Sequence, residues 1–407
     1  MKNFSVILAA MAILTAAVSC EKIGGDNNED NPRKQLELDT KSTELLQKGN
    51  TFAFEFLSRI DAAKEGKDYI VSPLSMQFLL GMTLNGAQGA TADEIAKVLG
   101  YSAADVDAMN EYCQAMLKQL PGLDRKTRLS IADAFAVNGS FLYQASFREA
   151  MRTYYDAEIF ELTYDGGVGQ INKWCSDHTN GMIPKIIDAV PPRTAAYLLN
   201  AMYFKSSWHE KFPKGNTALE AFTSTSGVVK QVNMMKNKSG FDYQENDVFR
   251  AVKLPYGNGA FSMTVILPVE GKTLADVTGA LDAESWRAFE VSMVGCNVDL
   301  WLPRFETRSH FEFKDLLSEM GMPSAFTKDA DFSGITRGFF LSDINQDTVI
   351  KVDEEGTEAA VVSHVSGEVM AMPPGAEVVF HADQPFLYLI TENSSGAVLF
   401  AGRYSGK

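Results

Sequence analysis

The stretch from Lys351 to Pro374 constrains the fold of this chain more than any other feature of the sequence. It begins with acidic residues and one glycine, continues with small and β-branched residues, and ends at Met372-Pro373-Pro374. In an extended conformation, alternate side chains share one face. One face then carries no charge, because it consists of Thr357, Ala359, Val361, Ser363 and Val365. The stretch therefore predicts a strand that can enter a sheet without burying a charged group.

Length and charge exclude several classes of protein. The chain has 407 residues, of which 45% are hydrophobic and 26 are phenylalanine, enough for the large core of a globular protein. Its formal net charge of −15 argues against binding to nucleic acid. No run of Lys and Arg is dense enough to bind a polyanion. We therefore expect an acidic globular protein that binds neither nucleic acid nor a polyanion, and that needs no cofactor.

The first 19 residues have the pattern of an export signal. Lys2 supplies the positive charge, Val6 to Val18 the apolar segment, and Ala17-Val18-Ser19 the small residues of a cleavage site. The apolar segment is too short to span a membrane as a helix. The next residue, Cys20, completes a pattern that resembles a bacterial lipobox, in which the signal is removed and the cysteine is lipidated. The alternative is an ordinary secretory signal followed by an unrelated cysteine.

The segment after Cys20 has the composition of a flexible tether. Residues 24–32 are polar and acidic and show no apolar period. We therefore divide the chain into a signal (1–19), an acidic flexible tether (20–40) and a single domain (41–407). The expected location is outside the cytoplasm, either anchored through lipid on Cys20 to the membrane of the cell envelope or secreted.

The remaining cysteines do not predict a disulfide framework. They are Cys113, Cys175 and Cys296, an odd number without the spacing of metal ligands. We expect buried free thiols at these positions.

Helix signals dominate the N-terminal half of the domain. Phe52, Phe56, Leu57 and Ile60 recur at helical spacing. Ser72-Pro73 predicts a helix cap and a first-turn proline. Further along, Thr91 to Glu94 has the pattern of a capping box, with Gly100 ending that helix.

Strand signals follow. Alternating apolar residues predict strands over 129–137, where Asp133 interrupts the apolar face, and over 261–267 and 298–302. Two apolar runs near the end, 386–390 and 397–400, predict a buried hairpin. The fold class is therefore α+β, with helices first and sheets later.

Enzymatic motifs are missing from the sequence. It contains no G-x-S-x-G elbow, no H-E-x-x-H, no P-loop and no strand-placed G-x-G-x-x-G. A hydrolase built from distant residues is not excluded by this, but no residue is nominated for one. We therefore expect a protein that is not an enzyme.

Several sequence blocks together resemble the serpin family over essentially the whole domain. The blocks are Asp68 to Ser75, Leu84 to Thr91, Asn200 to Trp208, Leu302 to Glu306, Ala330 to Ile335, Asp383 to Phe386 and Leu399 to Arg403. The resemblance implies a monomer with three β-sheets, about eight or nine helices and an exposed reactive-centre loop at about 354–374. It also implies a known mechanism of the family, in which the loop is cleaved by a serine protease and inserts into the main sheet while the acyl-enzyme is trapped.

Residue roles follow from the match to the family. The hinge of the loop comprises Glu354, Gly356, Thr357, Glu358, Ala359 and Ala360. Counting seventeen residues from Glu354 places the reactive bond at Met370-Ala371. Methionine there fits an apolar pocket, so elastase-like, chymotrypsin-like or subtilisin-like proteases are the expected targets, whereas trypsin-like enzymes are not.

The match also assigns residues that hold the sheet. Ser72, Ser75 and Asn200 match the shutter beneath the main sheet, Trp208 matches the breach at its top, and Asn172 matches the helix that covers it. Gln346 stands where the family commonly has histidine, which makes pH-dependent opening through that residue doubtful. Two alternative functions stay open. The protein could be a non-inhibitory serpin that is cleaved as a plain substrate, or an inhibitor of a cysteine protease.

Overall fold

The computed structural model describes residues 31–64, 66–138, 141–163, 165–191, 195–342, 344–357 and 377–406. The predicted signal, Cys20 and residues 358–376 lie outside this part of the chain.

Helices are concentrated in the first half of the described chain. In chain order, α1 to α9 are Thr40–Ala63, Pro73–Leu84, Gly89–Val98, Val106–Gln119, Ala145–Tyr155, Gly167–His178, Leu274–Ala280, Ala283–Ser292 and Lys314–Met320. None of the helices in the described ranges is long and apolar enough to cross a membrane.

Strands dominate the second half. In chain order, β1 to β8 are Tyr69–Val71, Arg128–Asn138, Glu158–Leu162, Ala196–Ser207, Ala218–Thr223, Val229–Glu245, Phe249–Pro255 and Phe261–Pro268. The remaining strands, β9 to β15, are Val294–Pro303, Phe305–Glu312, Asn345–Asp353, Gly356–Thr357, Val378–His381, Phe386–Glu392 and Val398–Tyr404. The predicted α+β class is confirmed, as are the predicted strands and the hairpin of β14 and β15.

The predicted cap at Ser72 is present, whereas the predicted capping box is wrong. Ser72 caps α2, and its hydroxyl oxygen accepts a hydrogen bond from the backbone N–H of Ser75. By contrast, α3 begins at Gly89, and Thr91 lies inside the helix. The Thr91 hydroxyl accepts a hydrogen bond from the backbone of Asp331 instead, while Glu94 binds Ser324. The side chains of Thr91 and Glu94 therefore form hydrogen bonds with residues far along the chain instead of capping the helix.

The six-stranded sheet, called the main sheet below, has the strand order β10-β11-β12-β4-β2-β3. Helix α6 covers one face, where Ile171 and Trp174 pack on the alanines of β2. Helix α2 lies behind the other face and is buried along its whole length. The main sheet therefore has a packed helix on each side, and its strands can separate only by moving over α2.

The larger sheet is held together by β6. Its strand order is β1-β15-β14-β8-β7-β6-β9-β13, with β5 also paired to β6. The two ends of the 17-residue strand β6 pair with different partners, β5 at one end and β7 at the other. The main sheet and the two halves of this larger sheet correspond to the three sheets that were expected.

The last part of the predicted tether requires a correction, because residues 31–39 are docked on the domain. The side chain of Asn31 is buried, donates a hydrogen bond to Asp124 at 2.7 Å and accepts one from the backbone of Arg125 at 3.0 Å. The backbone N–H of Leu36 donates to Ser394, and Asp39 caps α1. The polar composition of this segment predicted that it is free in solution, but its polar groups form hydrogen bonds with the domain.

Cys113, Cys175 and Cys296 are free cysteines, as expected. Cys113 and Cys175 are buried, and Cys296 is half-buried.

Candidate functional site: the hinge and the seam of the main sheet

The hinge begins as a tight turn at the top of the main sheet. Strand β11 ends at Asp353, residues 354 and 355 form the turn, and β12 returns antiparallel. Thr357 pairs with Val352 of β11 on one side and with Ser206 of β4 on the other. The first residues of the predicted hinge are therefore already a short strand between β4 and β11.

Gly356 fits this position because its neighbours leave no room for a side chain. A Cβ atom on Gly356 would collide with the carbonyl oxygen of Ser206 and would lie 2.7 Å from the Cα of Ser207. Both atoms belong to the backbone of β4, so no side-chain movement relieves the contact. The close approach of β12 to β4 thus requires glycine.

The side chain of Thr357 contacts a pair of stacked aromatic rings beneath the hinge. Its side chain is 2% exposed, and its hydroxyl oxygen lies 2.6 Å from the phenolic oxygen of Tyr256. The Tyr256 ring stacks on Trp208 with ring centroids 4.5 Å apart. Trp208 in turn donates from Nε1 to the carbonyl oxygen of Asp353 at 2.8 Å. The predicted breach residue Trp208 therefore contacts both the end of β11 and the platform under Thr357.

Glu354 is held by two donors. Its carboxylate is 3% exposed, accepts a hydrogen bond from Thr217 at 2.7 Å and forms an ion pair with Arg304. Burial raises the pKa of Glu354, but the hydrogen bonds from Thr217 and Arg304 outweigh it, so the pKa lies below its ordinary value. The charged form of Glu354 therefore fixes the start of the hinge.

Glu355 is held by two lysines. Lys211 and Lys214 lie 2.7 and 2.9 Å from its carboxylate oxygens. Their hydrogen bonds lower the pKa of Glu355. Hydrogen bonds and ion pairs from four side chains therefore hold the two acidic residues of the turn in place. These side chains are Thr217, Arg304, Lys211 and Lys214.

A cleft continues below Thr357 between β4 and β11. Phe204 of β4 and Val349 of β11 line its sides, and Ile390 and Phe400 of the larger sheet contribute further apolar surface. Apart from Lys351 and Thr357, the residues that line the cleft are apolar, which suits small uncharged side chains.

The predicted shutter residues Ser72, Ser75, Asn200 and Gln346 meet where α2 crosses behind the main sheet. Ser75 donates through its hydroxyl to Oδ1 of Asn200 on β4. Gln346 on β11 accepts from the backbone N–H of Ser72 at 2.8 Å and donates to its carbonyl oxygen at 3.0 Å. Short polar side chains thus connect both β4 and β11 to the start of α2. These interactions cross the seam that must part if a strand enters between β4 and β11.

Asn172 lies apart from this cluster. It is on α6, where its amide bonds the backbone of residues 186 and 187. It fixes the connection from α6 toward β4, which agrees with its assignment to the helix that covers the sheet and not with a direct role in the seam.

The structure brings Glu354, Gly356, Thr357 and Trp208 together at the top of the main sheet. Glu358, Ala359, Ala360, the reactive bond Met370-Ala371 and Cys20 lie outside the described residues. Sequence reasoning missed the groups that receive the hinge, which are Tyr256, Arg304, Thr217, Lys211 and Lys214. Two adjacent acidic residues at 354 and 355 are compatible with nearby cations, but nothing local in the sequence identifies Arg304, Lys211 or Lys214 as those cations.

Comparison with known proteins agrees with this architecture. The family model described as Serpin (serine protease inhibitor) matches residues 47–406. Human Serpin B3 is 31% identical over 388 residues, which cover 88% of this chain and 99% of that protein. The leukocyte elastase inhibitor of Xenopus laevis is 30% identical, with 87% of this chain and 97% of that protein covered.

Solved structures show the same fold. The thermophilic serpin tengpin in its native state matches with a TM-score of 0.82 and 27% identity, covering 93% of this chain and 97% of that one. Human thyroxine-binding globulin matches with a TM-score of 0.81 and 24% identity, covering 89% of this chain and 98% of that one, and shows the fold alone. The chain belongs to the serpin family.

Proposed function

We propose that this serpin is a suicide-substrate inhibitor of serine proteases with elastase-like, chymotrypsin-like or subtilisin-like specificity. The observation that supports the proposal most is the position of Gly356 and Thr357 between β4 and β11. These residues occupy the first two positions of the strand that a cleaved loop would add. A loop that only connected two surface elements would not need to begin inside the sheet.

The register of β12 defines what a longer inserted strand would contact. Thr357 pairs with Ser206, so an uninterrupted antiparallel strand would place Ala359 opposite Phe204, Val361 opposite Met202 and Ser363 opposite Asn200. Directly opposed residues share a face of the sheet. The uncharged face of the loop would therefore meet the apolar cleft, and its one further hydroxyl would reach the polar cluster of the seam.

Insertion on this scale is energetically sufficient to drive inhibition. About a dozen new ladder hydrogen bonds at ~1 kcal/mol each supply on the order of 10 kcal/mol. That is comparable with the whole stability of a typical domain, about 5–15 kcal/mol. The native state must then be kinetically trapped with its loop outside the sheet.

Met370-Ala371 is the proposed reactive bond. Methionine suits an apolar specificity pocket, and one relative, the Xenopus protein, is named as an inhibitor of leukocyte elastase. We further propose that the protein is exported, acts as a monomer and is attached to a membrane through lipid on Cys20.

The experiment is incubation of the purified protein with elastase, chymotrypsin, subtilisin, trypsin and papain, followed by denaturing gel electrophoresis. The proposal predicts a detergent-resistant complex with at least one of the first three proteases and release of a peptide that begins at Ala371. The matched control is Met370→Arg, which should move complex formation toward trypsin. Cleavage without any complex would identify a plain substrate, and a complex with papain alone would identify a cysteine protease inhibitor.

A further inference from the structure

Asp133 is a buried carboxyl group beside the seam, on the strand that pairs with the other edge of β4. It lies on β2 next to Asn200 of β4 and is 2% exposed. Its Oδ1 accepts a hydrogen bond from Nδ2 of Asn200 at 2.8 Å, while Oδ2 is buried and has no hydrogen-bond partner among the described residues. The same Asn200 accepts the hydroxyl of Ser75 on α2. Asp133 therefore fixes the orientation of the amide that joins β4 to α2.

The titratable groups that interact electrostatically with Asp133 do not favour its charge. Cys113 comes from α4, Tyr155 comes from α5, and Asp156 follows directly after α5. Burial raises the pKa of Asp133 to about 7, the hydrogen bond from Asn200 opposes that shift, and the negative charge of Asp156 adds to it. The carboxyl group thus changes charge near neutral pH.

We propose that Asp133 is a proton-dependent positioning residue for opening of the main sheet, acting through Asn200. In its neutral form the carboxyl buries one uncharged O–H group, which costs less than burying a charge, and the sheet stays closed. In its charged form, the unpartnered oxygen makes the closed sheet less stable. This inference rests on the proposed insertion of the loop, but it concerns a group that the insertion mechanism itself does not require.

The topology explains why opening would relieve the charge. A strand that enters between β4 and β11 pushes β4 away from β11, and β4 is paired with β2 along Arg128 to Val137. The two strands therefore move together across α2, and the contact between Ser75 and Asn200 must break. Water that follows this movement would hydrate the free carboxylate oxygen. Deprotonation therefore lowers the cost of opening relative to the closed state.

The sign of the pH dependence follows from linkage. The pKa in the folded state, about 7, lies above the ordinary value of 3.8, so the folded protein holds this proton more tightly. The stability that Asp133 contributes is fully present at low pH and is lost as the pH rises through the folded-state pKa. Between pH 6 and pH 8 the charged fraction rises about tenfold, and an insertion rate that follows this fraction rises by the same factor.

The experiment measures spontaneous conversion of the protein to a urea-resistant form, without protease, at pH 6, 7 and 8. Wild type should convert about tenfold faster at pH 8 than at pH 6, whereas Asp133→Asn should convert at a nearly constant rate. The urea midpoint of the native form, measured on the same samples, should fall with pH in wild type and stay level in the variant. Neither measurement uses a protease. The pH dependence is therefore tested independently of whether the protein forms a covalent complex with a protease.

Asp347→Asn is the matched control, because Asp347 on β11 is a second carboxyl with a raised pKa, which burial causes and His310 opposes. The control should keep the pH dependence of wild type. Equal pH profiles for wild type and Asp133→Asn would overturn the proposal. Loss of the pH dependence in Asp347→Asn, but not in Asp133→Asn, would also overturn the proposal.

Discussion

The hydroxyl oxygen of Thr357 lies 2.6 Å from the phenolic oxygen of Tyr256, directly beneath the start of β12. Both side chains are buried, and the hydrogen bond between the two hydroxyl groups gives each a partner. The polar side chain of β12 is therefore already paired within the main sheet. Threonine is suited to this position because it is small enough for the cleft and still supplies the partner that Tyr256 needs.

Thr357→Arg should reduce formation of the covalent complex in favour of plain cleavage. The side chain of Thr357 is already 2% exposed between β4 and β11, so arginine would bury an unpaired charge in β12, which costs several kcal/mol and disrupts the start of the strand that must lengthen. The readout is the ratio of cleaved protein to covalent complex on a denaturing gel. Thr357→Ser keeps the hydroxyl and is the control. Undiminished complex formation by Thr357→Arg would show that inhibition does not require this residue between β4 and β11.

Gly356→Ala should also increase cleavage at the expense of complex formation. The added methyl group would collide with the backbone of β4 at Ser206 and Ser207 and would push β12 away from β4, so that the strand to be lengthened loses its start. Gly338, where no atom lies near an added Cβ, provides a control glycine of positive φ at a distant site. If Gly356→Ala inhibits as efficiently as wild type, β12 does not approach β4 as closely as described.

Glu354→Gln should destabilise the native protein by about 1–2 kcal/mol at pH 7, since it replaces a charge-assisted pair with Arg304. The wild-type pKa is lowered from its ordinary 4.5, so this stability is present above pH 4.5 and is lost as the pH falls through the folded-state value. Urea unfolding at pH 7 and at pH 3 tests both statements. The difference between wild type and variant should shrink at pH 3, and a constant difference would contradict the role of the charge.

Much of the fold was predictable because its signals are local. The spacing of Phe52 and Phe56 indicates the buried face of α1, and Ser72-Pro73 indicates the start of α2. The alternation around Phe135 indicates β2. These patterns depend on periods of two or 3.6 residues, which the sequence displays directly.

The partners of the hinge were not predictable in the same way. Glu354 and Arg304 are 50 positions apart, and Thr357 and Tyr256 are 101 positions apart. Asp133 appeared in the sequence only as an interruption of an apolar face. Its importance follows from its burial beside Asn200, because a carboxyl group in a strand is ordinary on a surface but affects stability when it is buried next to the seam.

Asn31→Ala should destabilise the domain although it lies before the first helix. The change removes the hydrogen bonds that the side chain makes with Asp124 and with the backbone of Arg125. Because Asp124 is 2% exposed, we expect a loss of about 1–3 kcal/mol in the free energy of unfolding. Lys34→Ala, which removes an exposed contact with Gly122, should change it by less than ~0.5 kcal/mol. An unchanged urea midpoint for Asn31→Ala would mean that the segment is free in solution.

Thermal unfolding before and after cleavage at Met370-Ala371 tests whether the cleaved loop becomes a strand between β4 and β11. Insertion that adds on the order of 10 kcal/mol should raise the unfolding midpoint by on the order of 20 °C. Mass spectrometry of the cleaved sample confirms that the cut is at this bond. A cleaved protein with the same midpoint as the uncut protein would contradict loop insertion and leave the loop as a plain substrate.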